Sequence, residues 1–205
     1  MDAENNNIPR GIKKSNNESC EKYSSCSESA SETEYINDLN NVEGGEVNDA
    51  NKYLNNLRLT NLNRLIIGHL NINSIRDKFE ALKLIIKNNL DILVVSETKL
   101  NDTFPDSQFH MEGYRLIRKD REINGHYGGG IVMFIREDIP CKELQFQVNK
   151  EIEGIFLEIN LRSTKWLLIS GYNPKKENIT HFLKHVSLGI DKYLSKYDNI
   201  CLIGV

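Results

Sequence analysis

The sequence has little of what marks a membrane, secreted or metal-cluster protein. No apolar run approaches the roughly 20 residues of a membrane-spanning helix, which predicts a soluble or peripheral protein with no membrane partner. The first residues, MDAENNNIPRG, are polar throughout and do not resemble a signal peptide. The four cysteines have no metal-ligand spacing. We therefore expect reduced thiols in an intracellular protein.

Residues 1–60 lack the apolar content of a folded segment. They contain twelve asparagines, seven serines and eleven acidic against six basic residues (net −5), whereas residues 61–205 have 20 basic and 18 acidic residues (net +2). The first composition cannot bury enough apolar surface to offset the entropy lost on ordering. It predicts a disordered Asn/Ser/Glu-rich tail over 1–60 and a folded domain over 61–205. Residues 22–35 have the alternative interpretation of a phosphorylatable docking segment.

Short apolar runs alternate with helical patterns from residue 65 onward. LIIGHL (65–70) and DILVV (91–95) are typical of buried strands, and residues 73–87 between them have the apolar spacing of an amphipathic helix. Ser74 and Asp77 at its start are spaced as in a capping box. A strand, helix and strand in this order favour a right-handed crossover between parallel neighbours.

The rest of the domain is predicted to be mostly antiparallel. GGGIVMFI (128–135) is a glycine turn that leads into a strand, and the runs 154–161 and 165–172 lie at hairpin distance. Residues 179–194 place apolar side chains on one face of a helix, and NICLIGV (199–205) is the strand that follows it. The pattern predicts an α/β (α+β) fold with a mixed sheet and helices on its face.

Three polar residues stand just past the carboxyl ends of the predicted strands, where ligands gather in such sheets. They are Asn71, Glu97 and Tyr172. A lone carboxylate there can bind magnesium, which takes one or two protein carboxylates together with water and phosphate. By spacing alone, however, the sequence favours the simpler interpretation that Glu97 caps the next turn or pairs with Lys99.

Other polar features favour ordinary roles. The triple glycine Gly128–Gly130 lacks the lysine and the following helix of a phosphate-binding loop and predicts a turn. The five histidines form no ligand pair of known spacing, and Trp166 is predicted to belong to the core. The mixed-sign run 118–122 predicts a solvated loop. An alternative is an approach to nucleic-acid phosphates by a basic group consisting of Arg115, Arg118, Lys119 and Arg121.

Six motifs carry a family resemblance when they are taken in order: HLNINSIRDKF, DILVVSETKL, GYRLIRKDR, HYGGGIVMFIRED, LLISGYNP and YDNICLIG. In order and spacing, residues 64–204 resemble the endonuclease/exonuclease/phosphatase superfamily, and they are most similar to the apurinic-type endonuclease domain of non-LTR retrotransposon polyproteins. The resemblance implies a four-layer α/β sandwich, a Mg²⁺-dependent hydrolase of DNA phosphodiester bonds, DNA as the partner and a nuclear site of action.

The resemblance also implies roles for single residues. Asn71 matches the strand-end asparagine that helps to hold the metal and phosphate, and Glu97 matches the principal metal ligand. Tyr172 matches the tyrosine that contacts the scissile phosphate. These are the residues that the strand-end argument selects independently.

The sequence departs from the family pattern at the last motif. Family members continue with GDFN, whose aspartate activates the attacking water, but here the aspartate position is Val205, and the later aspartate and histidine are absent. We therefore expect weak Mg²⁺ binding and a catalytically incomplete site. Three interpretations stay open: a decayed or fragmentary endonuclease copy, a non-catalytic DNA- or protein-binding module, and part of an intact enzyme.

The resemblance has a consequence for stability. If the chain supplies about half of a two-half sandwich, the inner apolar face of its sheet would lack a cover. We therefore expect marginal stability and an exposed sheet face that needs a partner.

Overall fold

Two four-stranded sheets form the centre of the structure, a computed structural model that describes residues 44–121, 128–145, 153–173 and 179–204. The first sheet has the order β1-β2-β4-β3, with β1 (Ile67–Asn71), β2 (Ile92–Ser96), β3 (Tyr114–Lys119) and β4 (Ile131–Arg136). The second has the order β5-β6-β7-β8, with β5 (Cys141–Leu144), β6 (Glu153–Leu161), β7 (Thr164–Tyr172) and β8 (Asn199–Gly204).

The alternation of side chains along each strand decides what the sheets pack against, because successive residues of a strand point to opposite faces. On β4, Ile131, Met133 and Ile135 belong to one buried cluster, whereas Val132 and Phe134 belong to another. The first cluster also contains residues of β6 and β7, so it is the core between the two sheets. The central strands β2 and β4 are largely apolar on both faces for this reason.

Helices cover the outer faces of the two sheets. The helix α2 (Phe79–Ile86) packs its buried side chains on the first sheet. Tyr193, at the end of α3 (Ile179–Tyr193), packs against Phe156 and other residues on the outer face of the second sheet. The resulting layers are helix, sheet, sheet and helix, which confirms the predicted α/β sandwich with mixed sheets. None of the described helices is both long and apolar enough to cross a membrane.

The pairing of the strands follows the sequence pattern closely. The strands β1 and β2 are parallel neighbours joined by α2, and β6 and β7 form an antiparallel hairpin, as predicted. The last strand, β8, runs parallel to β7 at the edge of its sheet. The glycine turn before β4 is also confirmed, because Gly129 and Gly130 both have positive φ.

The predicted start of the first amphipathic helix is wrong. α2 begins at Phe79 rather than near Asn73, and its N-cap residue Lys78 makes no side-chain capping hydrogen bond. Ser74 has a φ of 87° and donates its amide to the carbonyl of Glu97 at 2.8 Å. The capping-box interpretation fails because this segment pairs with the loop after β2 and is thereby kept out of the helix.

The structure also differs from the predicted boundary of the tail. Residues 44–60, assigned to the disordered tail, form the helix α1 (Gly44–Thr60). Leu54 packs on the α2 core, and the Asn89 amide donates to Asn51 at 2.8 Å. Because α1 is mostly polar and makes only these few contacts, composition alone places the boundary between the tail and the domain too late in the sequence. The proposed docking segment at 22–35 lies outside the described residues.

The prediction of an uncovered sheet face is wrong. Each sheet uses the inner face of the other as its cover, and the core between them includes Val94 and Leu157, which are fully buried. The prediction fails because the chain itself contains the second sheet. That sheet begins at β5, shortly after β4, where the sequence pattern shows no strand. The inner faces of the two sheets are therefore covered within the described ranges.

Candidate functional site

The three residues predicted from strand ends lie together at one end of the sandwich. Asn71 is the last residue of β1, Glu97 follows β2, and Tyr172 is the last residue of β7. The Tyr172 hydroxyl donates a hydrogen bond to the Glu97 carboxylate, and the Asn71 side chain is hydrogen-bonded to the same carboxylate. Packing of the two sheets is what brings Tyr172 to residues of the first sheet.

The loop after β2 holds Glu97 in an unusual backbone conformation. Glu97 and Lys99 have φ values of 54° and 55°, in the left-handed region that costs a non-glycine residue about 1 kcal/mol or more. The conformation is fixed from both sides, since Ser74 donates to the Glu97 carbonyl and the Lys99 amide donates to the Gly129 carbonyl at 2.7 Å. The side chain of Glu97 is therefore presented by a rigid backbone.

Hydrogen bonds and neighbouring charges set the ionisation of this cluster. Burial by itself would raise the pKa of Glu97, but hydrogen bonds from Tyr172 and Asn71 and the charges of Lys99 and Arg121 outweigh it and lower the pKa below its usual value. Burial, followed by the bond to Glu97, raises the pKa of Tyr172 to about 12. At neutral pH the site thus pairs an ionised carboxylate with a phenol that keeps its proton.

Arg121 is a site residue that the sequence interpretation assigns to a solvated loop. Its guanidinium forms an ion pair with Glu153 and lies 5.7 Å from the centre of the Tyr172 ring. Gly129 makes room for it, since a Cβ there would lie 2.0 Å from an Arg121 nitrogen. The glycine before the strand is thus a signal that a bulky group lies against the backbone, although it does not say which group.

The other three residues of the predicted basic group, Arg115, Arg118 and Lys119, bind groups outside the cluster around Glu97. Arg118 pairs with Asp120 and with Asp106, so the solvated-loop prediction is wrong for Arg118 as well as for Arg121. Arg115 and Lys119 donate to main-chain carbonyls of the neighbouring segments. Of this basic group, Arg121 is the member that lies over the Tyr172 ring and whose charge helps to lower the pKa of Glu97.

The donor set at this end suits a hard cation only in part. Glu97 and Asn71 offer a carboxylate and an amide oxygen, which are ligand types that Mg²⁺ takes together with water and phosphate. No group of three or more His, Cys, Asp or Glu side chains within the described ranges could hold a metal ion. Glu153 is engaged with Arg121 and the Gly130 amide. Val205, the position where the sequence resemblance predicts an aspartate, lies outside the described residues.

The hydrogen bond from Tyr172 has a measurable consequence for Glu97. In Tyr172→Phe the pKa of Glu97 should rise, because a bond that favours the ionised carboxylate is lost. Because the ionised form of Glu97 is favoured in the folded state, Glu97 contributes to stability at pH values above its unfolded-state pKa, and this contribution is lost as the pH falls through its folded-state pKa. In Tyr172→Phe the folded-state pKa is higher, so the contribution should be lost at a higher pH. Carboxyl carbon NMR titration of Glu97 measures the shift.

Tyr197→Phe is the matched control, because Tyr197 donates at 2.7 Å to Glu158 and lowers the pKa of that carboxyl in the same way. This variant should shift Glu158 and leave Glu97 unchanged. An unchanged Glu97 titration in Tyr172→Phe would contradict the described contact.

Comparison with known proteins gives matches of structure alone. No protein-family model and no curated protein matches the sequence. A 3′ phosphatase from Neisseria bound to a product DNA hairpin aligns with a TM-score of 0.48 and 17% identity over 69% of this chain and 57% of its own. The endonuclease domain of TRAS1, a telomere-specific non-LTR retrotransposon, aligns with a TM-score of 0.48 and 13% identity over 69% and 58%.

An apurinic endonuclease from Archaeoglobus fulgidus aligns with a TM-score of 0.43 and 19% identity over 68% of this chain and 56% of its own. This chain therefore spans just over half the length of these solved structures.

Proposed function

We propose that the strand-end site binds a DNA phosphodiester together with Mg²⁺, and that the chain descends from a Mg²⁺-dependent DNA endonuclease of the kind that nicks retrotransposon target sites. The observation that carries the proposal is the convergence of Asn71 and Tyr172 on the ionised carboxylate of Glu97. The retrotransposon part rests on the order of the sequence motifs.

The charges around Glu97 suit a bound phosphodiester. Lys99 and Arg121 are close enough to lower the pKa of Glu97, so they are close enough to attract a phosphate. The Tyr172 hydroxyl keeps its proton at neutral pH and can donate it to a phosphate oxygen in place of Glu97. Arg121 lies over the Tyr172 ring and, through its ion pair with Glu153, is attached to the start of β6. These contacts orient the phenol.

Glu97 and Asn71 would hold the Mg²⁺. When bound, the ion supplies positive charge that stabilises the negative oxygens of a phosphate under attack. Hydrolysis also needs a group that takes a proton from the attacking water. Among the described residues at this site, the carboxylate of Glu153 is already bound to Arg121 and to the Gly130 amide. We therefore propose binding without cleavage by this chain, which is also what a non-catalytic DNA-binding module would do.

The test measures binding and cleavage side by side. A fluorescent DNA duplex should bind with an affinity that rises when Mg²⁺ is added, and supercoiled plasmid with Mg²⁺ should stay intact. Glu97→Gln should remove most of the Mg²⁺-dependent gain, by about tenfold if one charge-assisted contact is lost. Glu80→Gln is the control, because Glu80 lies on the exposed side of α2 and pairs with Lys83, away from the strand-end site.

Two results would contradict separate parts of this proposal. Plasmid nicking that disappears in Glu97→Gln would overturn the absence of cleavage and establish an active endonuclease. A DNA affinity that changes neither when Mg²⁺ is added nor in Glu97→Gln would overturn the placement of the phosphodiester at this site.

A further inference from the structure

A cleft lies at the opposite end of the sandwich from Glu97. It has a volume of about 540 Å³, which is within the usual range of small-ligand sites. Asp91 lines it just before β2, and Glu97 stands just after β2, so the rise of the strand separates the two sites by roughly 20 Å. We name it the arginine cleft, after the four arginines that line it: Arg58, Arg64, Arg136 and Arg162.

Two of these arginines form the floor of the arginine cleft. The Arg58 guanidinium lies 2.8 Å from a carboxylate oxygen of Asp91 and donates from its Nε to the Asn89 carbonyl at 3.1 Å. Arg136 pairs with the other Asp91 oxygen and with Asp138. Asp91 is the one acidic residue among the described residues that line the cleft. Its single charge is therefore shared by two arginines.

The other two arginines stand at the mouth of the arginine cleft with their charges available. The side chains of Arg64 and Arg162 make no hydrogen bond or ion pair to other residues within the described part of the chain. Arg162 is fixed in place by the two-residue turn between β6 and β7, in which Arg162 and Ser163 both have positive φ. The cleft thus has an excess of positive charge at its entrance.

An aromatic and apolar wall accompanies these charges. Trp166 lines the arginine cleft, and its indole N–H donates to the Thr164 hydroxyl at 3.2 Å, which fixes the plane of the ring. Leu62 lies on the same lining, and its side chain is exposed. A simple anion would leave this wall unused. A flat aromatic group attached to a phosphate would use both parts.

We propose that the arginine cleft binds a phosphorylated nucleotide, with its phosphate on Arg64 and Arg162 and its base against Trp166. Arginine is suited to the phosphate because its planar guanidinium donates two parallel hydrogen bonds to the oxygens. The base is suited to Trp166 because nucleobases of every type stack on aromatic rings. The ligand is either a free nucleotide or one nucleotide of a nucleic-acid strand, and the chemistry of the site is the same for both.

The single tryptophan of the chain makes the proposal directly measurable. Titration of the full chain with deoxyadenosine 5′-monophosphate should quench the fluorescence of Trp166 to saturation, and isothermal titration calorimetry should give the same affinity. Inorganic phosphate should compete at least about tenfold more weakly, because it lacks the base. A single-stranded oligonucleotide that competes far better than the mononucleotide would identify a nucleic-acid strand as the source, and equal competition would identify the free nucleotide.

The decisive variant is the double change Arg64→Ala and Arg162→Ala. It should weaken nucleotide binding by at least about tenfold, since two charge-assisted phosphate contacts are lost. Lys142→Ala with Lys184→Ala is the matched control, because it removes the same charge from exposed positions on β5 and α3. Glu97→Gln should leave nucleotide binding unchanged, so this test is separate from the test of the strand-end site.

Three outcomes would overturn the proposal. They are saturable quenching that is equally weakened in the two double variants, binding of inorganic phosphate as tight as that of the nucleotide, and no binding of nucleotide or oligonucleotide by calorimetry. Both double variants change exposed side chains, and an unchanged circular dichroism spectrum establishes that the fold is intact.

Discussion

Replacing Phe134 with alanine should lower the free energy of unfolding by about 4 kcal/mol, the typical cost of removing a buried phenylalanine. Phe134 is fully buried on β4 and faces α2. Its ring is stacked on Phe79 with 5.8 Å between centroids, and Phe79 in turn meets the edge of Phe109 at 5.4 Å. The change therefore leaves a cavity at the point where α2 is attached to the sheet. Urea unfolding followed by circular dichroism measures the loss.

Leu84→Ala is the matched control for this cavity. Leu84 is an apolar residue of α2, but it lies on the solvent-facing side of the helix and is 68% exposed. Its removal should change the free energy of unfolding by less than about 0.5 kcal/mol. A loss of similar size in the two variants would contradict the assignment of Phe134 to the core between α2 and the first sheet.

Replacing Asp91 with alanine should lower the free energy of unfolding by about 3 kcal/mol, since it leaves two arginines and one main-chain amide without their partner. The Asp91 side chain is 3% exposed and accepts a hydrogen bond from the Ile66 amide at 2.7 Å. The same carboxylate ties α1 to the sheet through Arg58 and reaches the end of β4 through Arg136. Its loss therefore weakens three attachments at once.

Asp138→Ala is the control that separates the effect of removing a buried carboxylate from that of removing a charge that pairs with Arg136. Asp138 also pairs with Arg136, but its side chain is 65% exposed, so solvent screens the pair. Its removal should cost no more than about 1 kcal/mol by thermal or urea unfolding. If Asp138→Ala costs as much as Asp91→Ala, the buried position of Asp91 does not have the role that we assign to it.

Much of the fold is predictable because the central strands of both sheets contain long apolar stretches that stand out as runs in the sequence. The parallel pair β1 and β2 and the hairpin of β6 and β7 follow from those runs and from the spacing between them. The strands β3 and β5 are not predicted, since YRLIRK and CKEL carry as many polar as apolar residues. They lie at the edges of the two sheets, where one neighbour suffices and the sequence is less constrained.

The site is predictable to the extent that it lies at strand ends. Asn71, Glu97 and Tyr172 are selected by that rule, and the structure brings them together. Arg121 is not selected, because its neighbours are charged and its position depends on Glu153, which is 32 residues away in the sequence. A contact of that kind arises from the packing of the two sheets, which no local pattern contains.

The core between the sheets has a consequence for how the domain loses its structure. Its buried side chains come from β2 and β4 on one side and from β6 and β7 on the other. Neither sheet keeps a hydrophobic interior on that side once the other separates, so release of one sheet exposes both inner faces to water together. The two sheets therefore form a single cooperative unit, in which a partly opened state is not stable. Loosening of any one of β2, β4, β6 and β7 should destabilise the other three.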